Sequence, residues 1–299
     1  MNVRAPFPIL CIGSVLWDVI GRASGAMRQG SDVPGRISRL PGGVALNIAM
    51  ALAREGLVPT LLSAVGRDPE GDALIAACAR LGLITDHIHR PEGLPTDRYM
   101  AVEAANGLIA AIADARTLEA AGAAILAPLM DGTLGDVGAP YAGIIALDGN
   151  LTETLLAEIA ESPAFSAADL CIAPASPGKV LRIARFLGHG RSTLYVNLEE
   201  AGLLSGCQFK SAESAAAALL QRGAARVLVT DGARPAADAR HDGVITLAPP
   251  QVCMARVTGA GDTFMAAHIA AETRGHPREA ALRRALAAAA RHVSGETLQ

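Results

Sequence analysis

Chemistry is concentrated in residues 256–264, where two glycines surround an alanine and an aspartate follows. Gly259 and Gly261 allow a tight turn that larger side chains would obstruct. Residues 262–269 then predict a helix start, and a helix N-terminus presents free N–H groups and a positive dipole end that attract phosphate-like anions. The carboxylate of Asp262 beside that anion hole could take a proton from an alcohol, as phosphoryl transfer requires. The same residues also fit an ordinary loop-to-helix junction with an aspartate cap.

A second group of polar and glycine residues lies near the N-terminus. Residues 8–13 predict a buried strand, and Asp18 follows at the carboxyl edge, where ligands bind in open α/β sheets. Asp18 could accept hydrogen bonds from two adjacent hydroxyls, but it also fits a solvated loop aspartate. Gly42 and Gly43 let backbone approach a ligand closely, and Asn47 on the first helical turn after them could bind a sugar hydroxyl.

The rest of the chain predicts the elements that position these groups. Strand-like and helix-like stretches alternate, which predicts an α/β fold with a central, mostly parallel sheet and helices on both faces. The candidate strands after residue 13 are 61–66, 143–147, 170–173, 193–196 and 226–229. The candidate helices are 73–81, 152–161, 178–187, 211–222, 263–273 and 277–293. No linker divides the sequence, so we expect one domain over residues 1–299.

Two segments depart from this alternation. Residues 20–40 form an excursion with weak alternation, and residues 96–114 alternate like a hairpin with a turn at Asn106-Gly107. Together they predict a small sheet outside the main one, with one apolar face that no helix of its own covers. An exposed face of that kind favours pairing with another chain.

Composition narrows the class of protein. The chain has 299 residues, 51% of them hydrophobic, and a net charge of −3. No basic block indicates nucleic acid, no apolar run is long enough for a membrane span, and the N-terminus lacks a signal-peptide layout. The five cysteines form no C-x-x-C pair, so we expect buried reduced thiols in a cytoplasmic protein rather than a zinc site or disulfides.

The order of the two glycine-rich stretches resembles the ribokinase-like (PfkB) family of sugar and nucleoside kinases, and Val257–Phe264 is close to that family's C-terminal signature. Asn197-Leu198-Glu199-Glu200 is similar to its N-x-x-E element, although Val196 replaces the usual proline before it. The same acidic residues also fit a helix start favoured by the dipole. A further departure follows Gly232, where Pro235 interrupts the usual apolar strand.

The resemblance implies a role for each matching position. Asp262 would be the base, and the N–H groups of Gly259, Ala260 and Gly261 would form the anion hole. Glu200 would order water around the Mg²⁺ of the nucleotide. The substrate would be held by Asp18, Gly42, Gly43, Asn47, Asp148 and Asn150. ATP would contact Asn197, Thr230, Gly232, Ala233, Thr258, Gly259 and Gly261.

The resemblance also bears on substrate, ions and assembly. Residues 34–49, 62–68, 109–114 and 146–151 are most similar to the pseudouridine kinases of the family, which phosphorylate the 5′-hydroxyl. The alternatives are a kinase of a free sugar or sugar acid, and a non-catalytic nucleoside-binding protein on the same fold. Some members also use an alkali ion such as K⁺, for which no site can be placed in this sequence. The small sheet serves as lid and dimer interface in related kinases, so we expect a homodimer.

Overall fold

The computed structural model describes residues 9–253 and 258–295. Three residues of the predicted motifs lie outside the described residues: Pro8 of the first predicted strand, and Arg256 and Val257 at the start of the glycine-rich stretch. In the described part of the chain, no helix is both long and apolar enough to cross a membrane.

The strands of the described residues form two separate sheets. The strands are β1 (Ile9–Ile12), β2 (Leu16–Arg22), β3 (Arg36–Gly42), β4 (Pro59–Leu62), β5 (Arg98–Ala104), β6 (Gly107–Asp114), β7 (Ile144–Asp148), β8 (Asp169–Ala173), β9 (Ser192–Asn197), β10 (Arg226–Asp231), β11 (Arg234–Arg240) and β12 (Gly243–Leu247). The main sheet has the order β12-β11-β10-β9-β8-β7-β1-β4. The run from β10 to β4 is parallel, while β11 and β12 add antiparallel strands at one edge. The predicted fold class is confirmed.

Helices cover both faces of the main sheet. They are α1 (Val44–Arg54), α2 (Pro69–Arg80), α3 (Arg116–Ala121), α4 (Glu153–Glu161), α5 (Leu198–Ser205), α6 (Ala212–Gln221), α7 (Ala260–Thr273) and α8 (Arg278–Ser294), with 3-10 helices at Gly122–Leu129, Pro163–Phe165 and Pro177–Gly188. The segment predicted as a helix over 178–187 is a 3-10 helix. Helix α2 begins four residues before the predicted start because Asp68 caps it, accepting from the Gly71 N–H at 2.7 Å.

The strands of the main sheet are apolar throughout because both of their faces are buried. In β1, Leu10 and Ile12 pack into a cluster with α4, α5 and α6, while Ile9 and Cys11 pack into a second cluster with α1, α7 and α8. Successive side chains of a strand point to opposite faces, so one apolar strand supplies both layers of the core. The sheet therefore fixes α1 and α7, whose N-terminal ends carry two of the predicted site motifs.

The small sheet has the order β3-β2-β5-β6. Strand β2 pairs antiparallel with β3 and parallel with β5, and β5 and β6 form the predicted hairpin. The two turn residues are Ala105 and Asn106, while Gly107 begins β6 with a φ of 99°. The hairpin was therefore predicted correctly, but its turn was predicted at Asn106-Gly107, one residue further along the chain than it lies.

Strand β11 shows how the chain accommodates Pro235. Leu228 pairs with Asp238 and Asp231 with Arg234, with a bulge between Val229 and Asp231. Pairing of β11 with β12 begins only at Ala236. Pro235 therefore lies at the irregular end of the strand, where no ladder partner needs its missing N–H. The proline interrupts the sequence pattern without interrupting the sheet.

Ion pairs around the buried Asp238 and the partly buried Arg226 attach α7 and α8 to this edge of the sheet. The Arg226 guanidinium donates to Asp238 at 2.7 Å and to Glu272 of α7 at 2.8 Å. Arg278 of α8 also donates to Asp238, at 3.1 Å. Because Asp238 is fully buried, losing either arginine would leave a poorly compensated charge in the core.

The cysteines follow the expectation in part. Cys11, Cys78 and Cys171 are buried free thiols, whereas Cys207 and Cys253 are free and exposed. The expectation of buried thiols was wrong for these last two, since Cys207 lies in the loop after α5 and Cys253 lies after β12, and neither belongs to a helix or strand packed in the core.

Candidate active site

Helix α7 begins with the predicted glycine turn. Gly259 is the N-cap residue with a φ of 82°, a left-handed conformation that favours glycine. Ala260, Gly261 and Asp262 form the first helical turn, where backbone N–H groups have no intrahelical acceptor. Asp262 is therefore not the helix cap, and its carboxylate is free for another role. Thr263 steadies the turn by donating its hydroxyl to the Gly259 carbonyl at 2.8 Å.

The charge of Asp262 is influenced by several other predicted site residues. Burial raises the pKa of its carboxyl to about 7, and the negative charges of Asp148, Asp18 and Glu200 add to this effect. A hydrogen bond from the Asn47 side chain acts in the opposite direction. These contributions indicate that residues from four separate elements converge on Asp262. A carboxyl with a pKa near neutrality suits a general base.

Asp18 lies in β2 of the small sheet, so the alternative interpretation as a solvated loop aspartate was wrong. The chain leaves the main sheet after β1 and enters the small sheet at Leu16, before it reaches Asp18. The side chain is half-buried, and burial raises its pKa to about 6. A Cβ at Gly42 would lie 2.1 Å from Oδ2 of Asp18, so Gly42 is required for the carboxylate to lie against the backbone.

The second glycine begins α1. Gly43 is the N-cap with a φ of 100°, and a Cβ there would lie 2.4 Å from the carbonyl oxygen of Ser14. Oγ of the buried Ser14 accepts a hydrogen bond from the Val44 N–H at 2.9 Å. Ser14 thus joins the end of β1 to the start of α1, the helix that carries Asn47. Nothing in the sequence pattern singled out Ser14.

Asp148 and Asn150 come together in the same network. Asp148 is fully buried and accepts from the Ser14 N–H at 2.8 Å, from the Ser14 hydroxyl, and from the Asn150 N–H at 2.8 Å. The Asn150 side chain in turn accepts from the Lys179 ammonium at 2.6 Å. By accepting these hydrogen bonds, the Asp148 carboxylate orients Ser14 and Asn150. Lys179 was also missed from the sequence, since it lies 29 residues beyond Asn150.

Asn197 and Glu200 form a capping box at the start of α5. The Glu200 N–H donates to the Asn197 side chain at 2.9 Å, and the Asn197 N–H donates to the Glu200 carboxylate at 2.8 Å. The helix-start interpretation is therefore correct for both residues. It leaves room for a second role, because Glu200 also lies in the wall of a large cavity. Burial raises the pKa of Glu200 to about 6.

That cavity has a volume of about 700 Å³ and opens beside the start of α7. The predicted site residues in its wall are Asn197, Glu200, Thr230, Gly232, Ala233, Ala260, Gly261 and Asp262. Its apolar wall, which the sequence did not predict, includes Tyr195, Phe264, Leu286, Ala289 and Val293. Thr258 and Gly259 lie outside the wall, although both adjoin it in sequence.

The predicted substrate residues do not line this cavity. Asp18, Gly42, Gly43, Asn47, Asp148 and Asn150 are all absent from its wall. Asn47 nevertheless donates to Asp262, and the charges of Asp18 and Asp148 raise the pKa of Asp262, so Asp262 connects the cavity with these residues. The described residues contain no group of three or more His, Cys, Asp or Glu side chains arranged to hold a metal ion.

Comparison with known proteins identifies the family. The model of the pfkB family carbohydrate kinases matches residues 8–298, so the chain belongs to this family. Members of the family transfer phosphoryl groups to hydroxyl groups, and the chain is therefore a phosphotransferase of the sugar and nucleoside kinase type. The alternative of a non-catalytic binding protein is set aside.

Individual relatives share 30% or less of their residues with this chain in the three comparisons that follow. A pseudouridine kinase of Escherichia coli K12 is 30% identical over an alignment of 271 residues that covers 86% of this chain and 81% of that protein. An uncharacterised sugar kinase of the same organism, YeiI, is 29% identical over an alignment of 287 residues that covers 93% of this chain and 76% of that protein. The ribokinase of Arabidopsis thaliana, solved with ribose and ATP, has a TM-score of 0.80 and 22% identity over 98% of this chain and 94% of its own.

Proposed function

We propose that this protein is an ATP-dependent kinase that phosphorylates the 5′-hydroxyl of pseudouridine. The observation that carries the proposal is the position of Asp262. It lines a cavity large enough for a nucleotide, its carboxylate is hydrogen-bonded by the Asn47 side chain, and the charges of Asp18 and Asp148 raise its pKa. A base that lies between a donor site and an acceptor site is what a kinase needs.

Asp262 takes the proton of the attacking hydroxyl, and Asn47 orients its carboxylate. The free N–H groups at the start of α7 point into the region where charge develops, and they offer fixed donors without any rearrangement. Gly42 leaves the space in which the Asp18 carboxylate lies against the backbone, and Asp18 accepts hydrogen bonds from the hydroxyls of the sugar.

The cavity wall suits a nucleotide with its metal ion. Its apolar side, formed by residues such as Phe264, Leu286 and Ala289, can cover a flat base. Glu200 presents one carboxylate at the polar side. Because Mg²⁺ keeps several waters and is bound through one or two carboxylates plus phosphates, the Glu200 carboxylate fits it. When bound, Mg²⁺ neutralises phosphate charge, and we assign Glu200 and Asn197 to hold its water shell.

The face of the small sheet that carries Asp18, which we call its inner face, favours a nucleoside over a bare sugar. Asp18 pairs directly with Tyr99, and Tyr99 with Ala113, so these side chains share one face. Ala101 and Ala111 pair on that same face two residues further along. The exposed side chains of Ala111 and Ala113 are small and leave room for a planar ring above the sugar, and the Tyr99 hydroxyl offers a polar contact beside Asp18.

Pseudouridine is the base we favour, and the E. coli relative supports this choice. Its ring joins the sugar through carbon, which leaves an additional ring N–H facing the protein. A site that pairs with this N–H rejects uridine, since an unmet buried partner costs roughly 1–3 kcal/mol.

A free sugar acid is the second candidate, and one observation favours it. Lys179 contributes a partly buried cation beside Asn150, and it donates to an amide oxygen at 2.6 Å. A carboxylate substrate would offer that ammonium a stronger partner. The sugar kinase YeiI, 29% identical, adds weight to this alternative.

We also propose that the small sheet closes over the substrate and pairs with a second copy of the chain. Its outer face carries Ile37, Met100 and Ile112, which are 78%, 47% and 62% exposed. Their strand register places them together on the face opposite Asp18. Exposed apolar side chains grouped in this way are typical of an interface.

A thermal-shift screen tests the substrate class. Nucleosides, pentoses and sugar acids are each added with and without MgATP, and the ligand that binds the native state raises Tm. We expect the largest shift with pseudouridine. A shift confined to sugar acids would replace the nucleoside proposal with the second candidate.

A further inference from the structure

His292 makes a contact with the backbone of the glycine turn. It lies in the last turn of α8, and its Nε2 is 2.8 Å from the carbonyl oxygen of Thr258. A carbonyl oxygen can only accept a hydrogen bond, so Nε2 carries a proton and donates it. This contact joins two elements that are 34 residues apart in the chain, and it lies directly before the first turn of α7.

The contact fixes the orientation of one peptide plane. The Thr258 carbonyl and the Gly259 N–H belong to the same planar peptide group and point in opposite directions. Gly259 has a φ of 82°, and glycine tolerates positive and negative φ about equally, so little in the local chain prevents this peptide from turning over. A donor that holds the carbonyl towards α8 also holds the Gly259 N–H on the opposite side.

We propose that His292 is a positioning residue for the phosphate-binding turn. By holding the Thr258 carbonyl, it keeps the Gly259 N–H beside those of Ala260 and Gly261 and keeps a carbonyl oxygen away from the bound phosphate. The inference rests on the proposed function, in which phosphate binds at the start of α7. If the peptide turned over, the bound anion would lose an attractive N–H and would also face a repulsive carbonyl oxygen. Both changes weaken anion binding.

The imidazole also packs directly on the turn. A Cβ at Gly259 would lie 3.2 Å from Nε2 and 3.3 Å from Cε1 of His292. The ring therefore lies against the bare backbone of Gly259. Val293, the next residue of α8, lines the cavity, so a displacement of His292 would also alter the wall of the nucleotide site.

The test compares three substitutions of similar size. His292→Gln keeps an N–H donor at about the reach of Nε2, His292→Leu fills the space without a donor, and His292→Asn keeps polarity but falls short. We expect the Leu and Asn variants to weaken ADP binding and to lower kcat/KM for ATP by about tenfold or more, by the scale of losing one backbone donor. KM for the nucleoside should change less than about twofold, because the acceptor side is untouched.

His292→Gln should restore ADP affinity to within about threefold of the original protein, since only the donor matters in this account. Arg291→Leu is the matched control, because Arg291 is exposed on the same turn of α8. The polar Asn variant and unfolding temperatures without ligand separate a local effect from a loss of fold.

Two results would overturn the inference. One is a folded Leu or Asn variant with unchanged ADP affinity, and the other is a Gln variant as impaired as the Leu variant. The proposed function has its own test in Asp262→Asn. Full turnover by the Asp262→Asn variant would overturn the kinase mechanism, whatever the His292 variants show. If Asp262→Asn loses turnover but the His292→Leu and His292→Asn variants keep normal ADP affinity, only the role of His292 is overturned.

Discussion

Asp262 combines two properties at the residue scale. Its backbone belongs to the first turn of α7, and its carboxyl has a pKa raised to about 7 by burial and by neighbouring carboxylates. We expect Asp262→Asn to lower kcat by about 10² or more, since the general base is lost, while nucleoside binding is largely kept. Steady-state kinetics and calorimetric titration of the nucleoside measure the two effects. Near-normal turnover would remove Asp262 from the mechanism.

The raised pKa also predicts a pH profile. Asp262 acts as a base only when ionised, so activity is present above its pKa and is lost as the pH falls. With both substrates below saturation, kcat/KM should fall about tenfold per pH unit below a midpoint near 7. Asn47→Leu removes a hydrogen bond that lowers this pKa, so the midpoint should move to higher pH. A midpoint near the ordinary aspartate value of 3.8 would contradict the account.

Several residues of the site could be predicted because their types and spacing carry a signal. The glycines and Asp262 form a recognisable stretch, and so do Asn197 and Glu200. Ser14 and His292 gave no such signal, because their partners are backbone groups or side chains distant in the chain. Such contacts depend on how helices pack on the sheet, and a single sequence does not specify that packing.

At the scale of the element, the capping box of α5 lets two roles of Glu200 be separated. Glu200→Gln keeps an oxygen that accepts from the Asn197 N–H, so α5 should stay capped, but it removes the charge. We expect the Mg²⁺ concentration for half-maximal activity to rise about tenfold, which corresponds to roughly 1.4 kcal/mol. Activity measured over a Mg²⁺ series gives this value.

Asn197→Ala is the complementary variant. It removes the cap and should cost about 1 kcal/mol of folding free energy. Denaturant unfolding gives the free energy of unfolding of Asn197→Ala and of Glu200→Gln, and only Asn197→Ala should lose about 1 kcal/mol. If Glu200→Gln leaves the Mg²⁺ dependence unchanged, Glu200 is a capping residue alone.

The elements themselves were predictable to different degrees. The parallel strands of the main sheet were found because burial on both faces makes them apolar throughout. The antiparallel edge strands β11 and β12 were missed. Pro235 breaks the pattern of β11, and only the bulge in the structure explains why the proline is tolerated. The small sheet was located by its hairpin, but its register, which places Asp18 beside Tyr99, was not evident in the sequence.

At the scale of the whole molecule, we expect a homodimer through the outer face of the small sheet. Light scattering at micromolar concentration should give twice the chain mass of 30.6 kDa. Ile37→Asp and Ile112→Lys place charges on this face and should shift the protein towards monomer. Leu181→Asp is the matched control, since Leu181 is 65% exposed on the 3-10 helix at Pro177–Gly188, far from the small sheet in sequence. A monomer in the original protein would contradict the expectation.

The preference among three acceptors tests the central claim most directly. A coupled assay of ADP release, run side by side with pseudouridine, uridine and ribose, gives kcat/KM for each. Pseudouridine should be favoured over uridine by about tenfold or more, from the cost of an unmet partner of its additional ring N–H. Ribose should be poorer still, because it lacks the binding energy of the ring. Equal use of uridine would indicate a general nucleoside kinase, and a clear preference for ribose would contradict the nucleoside assignment altogether.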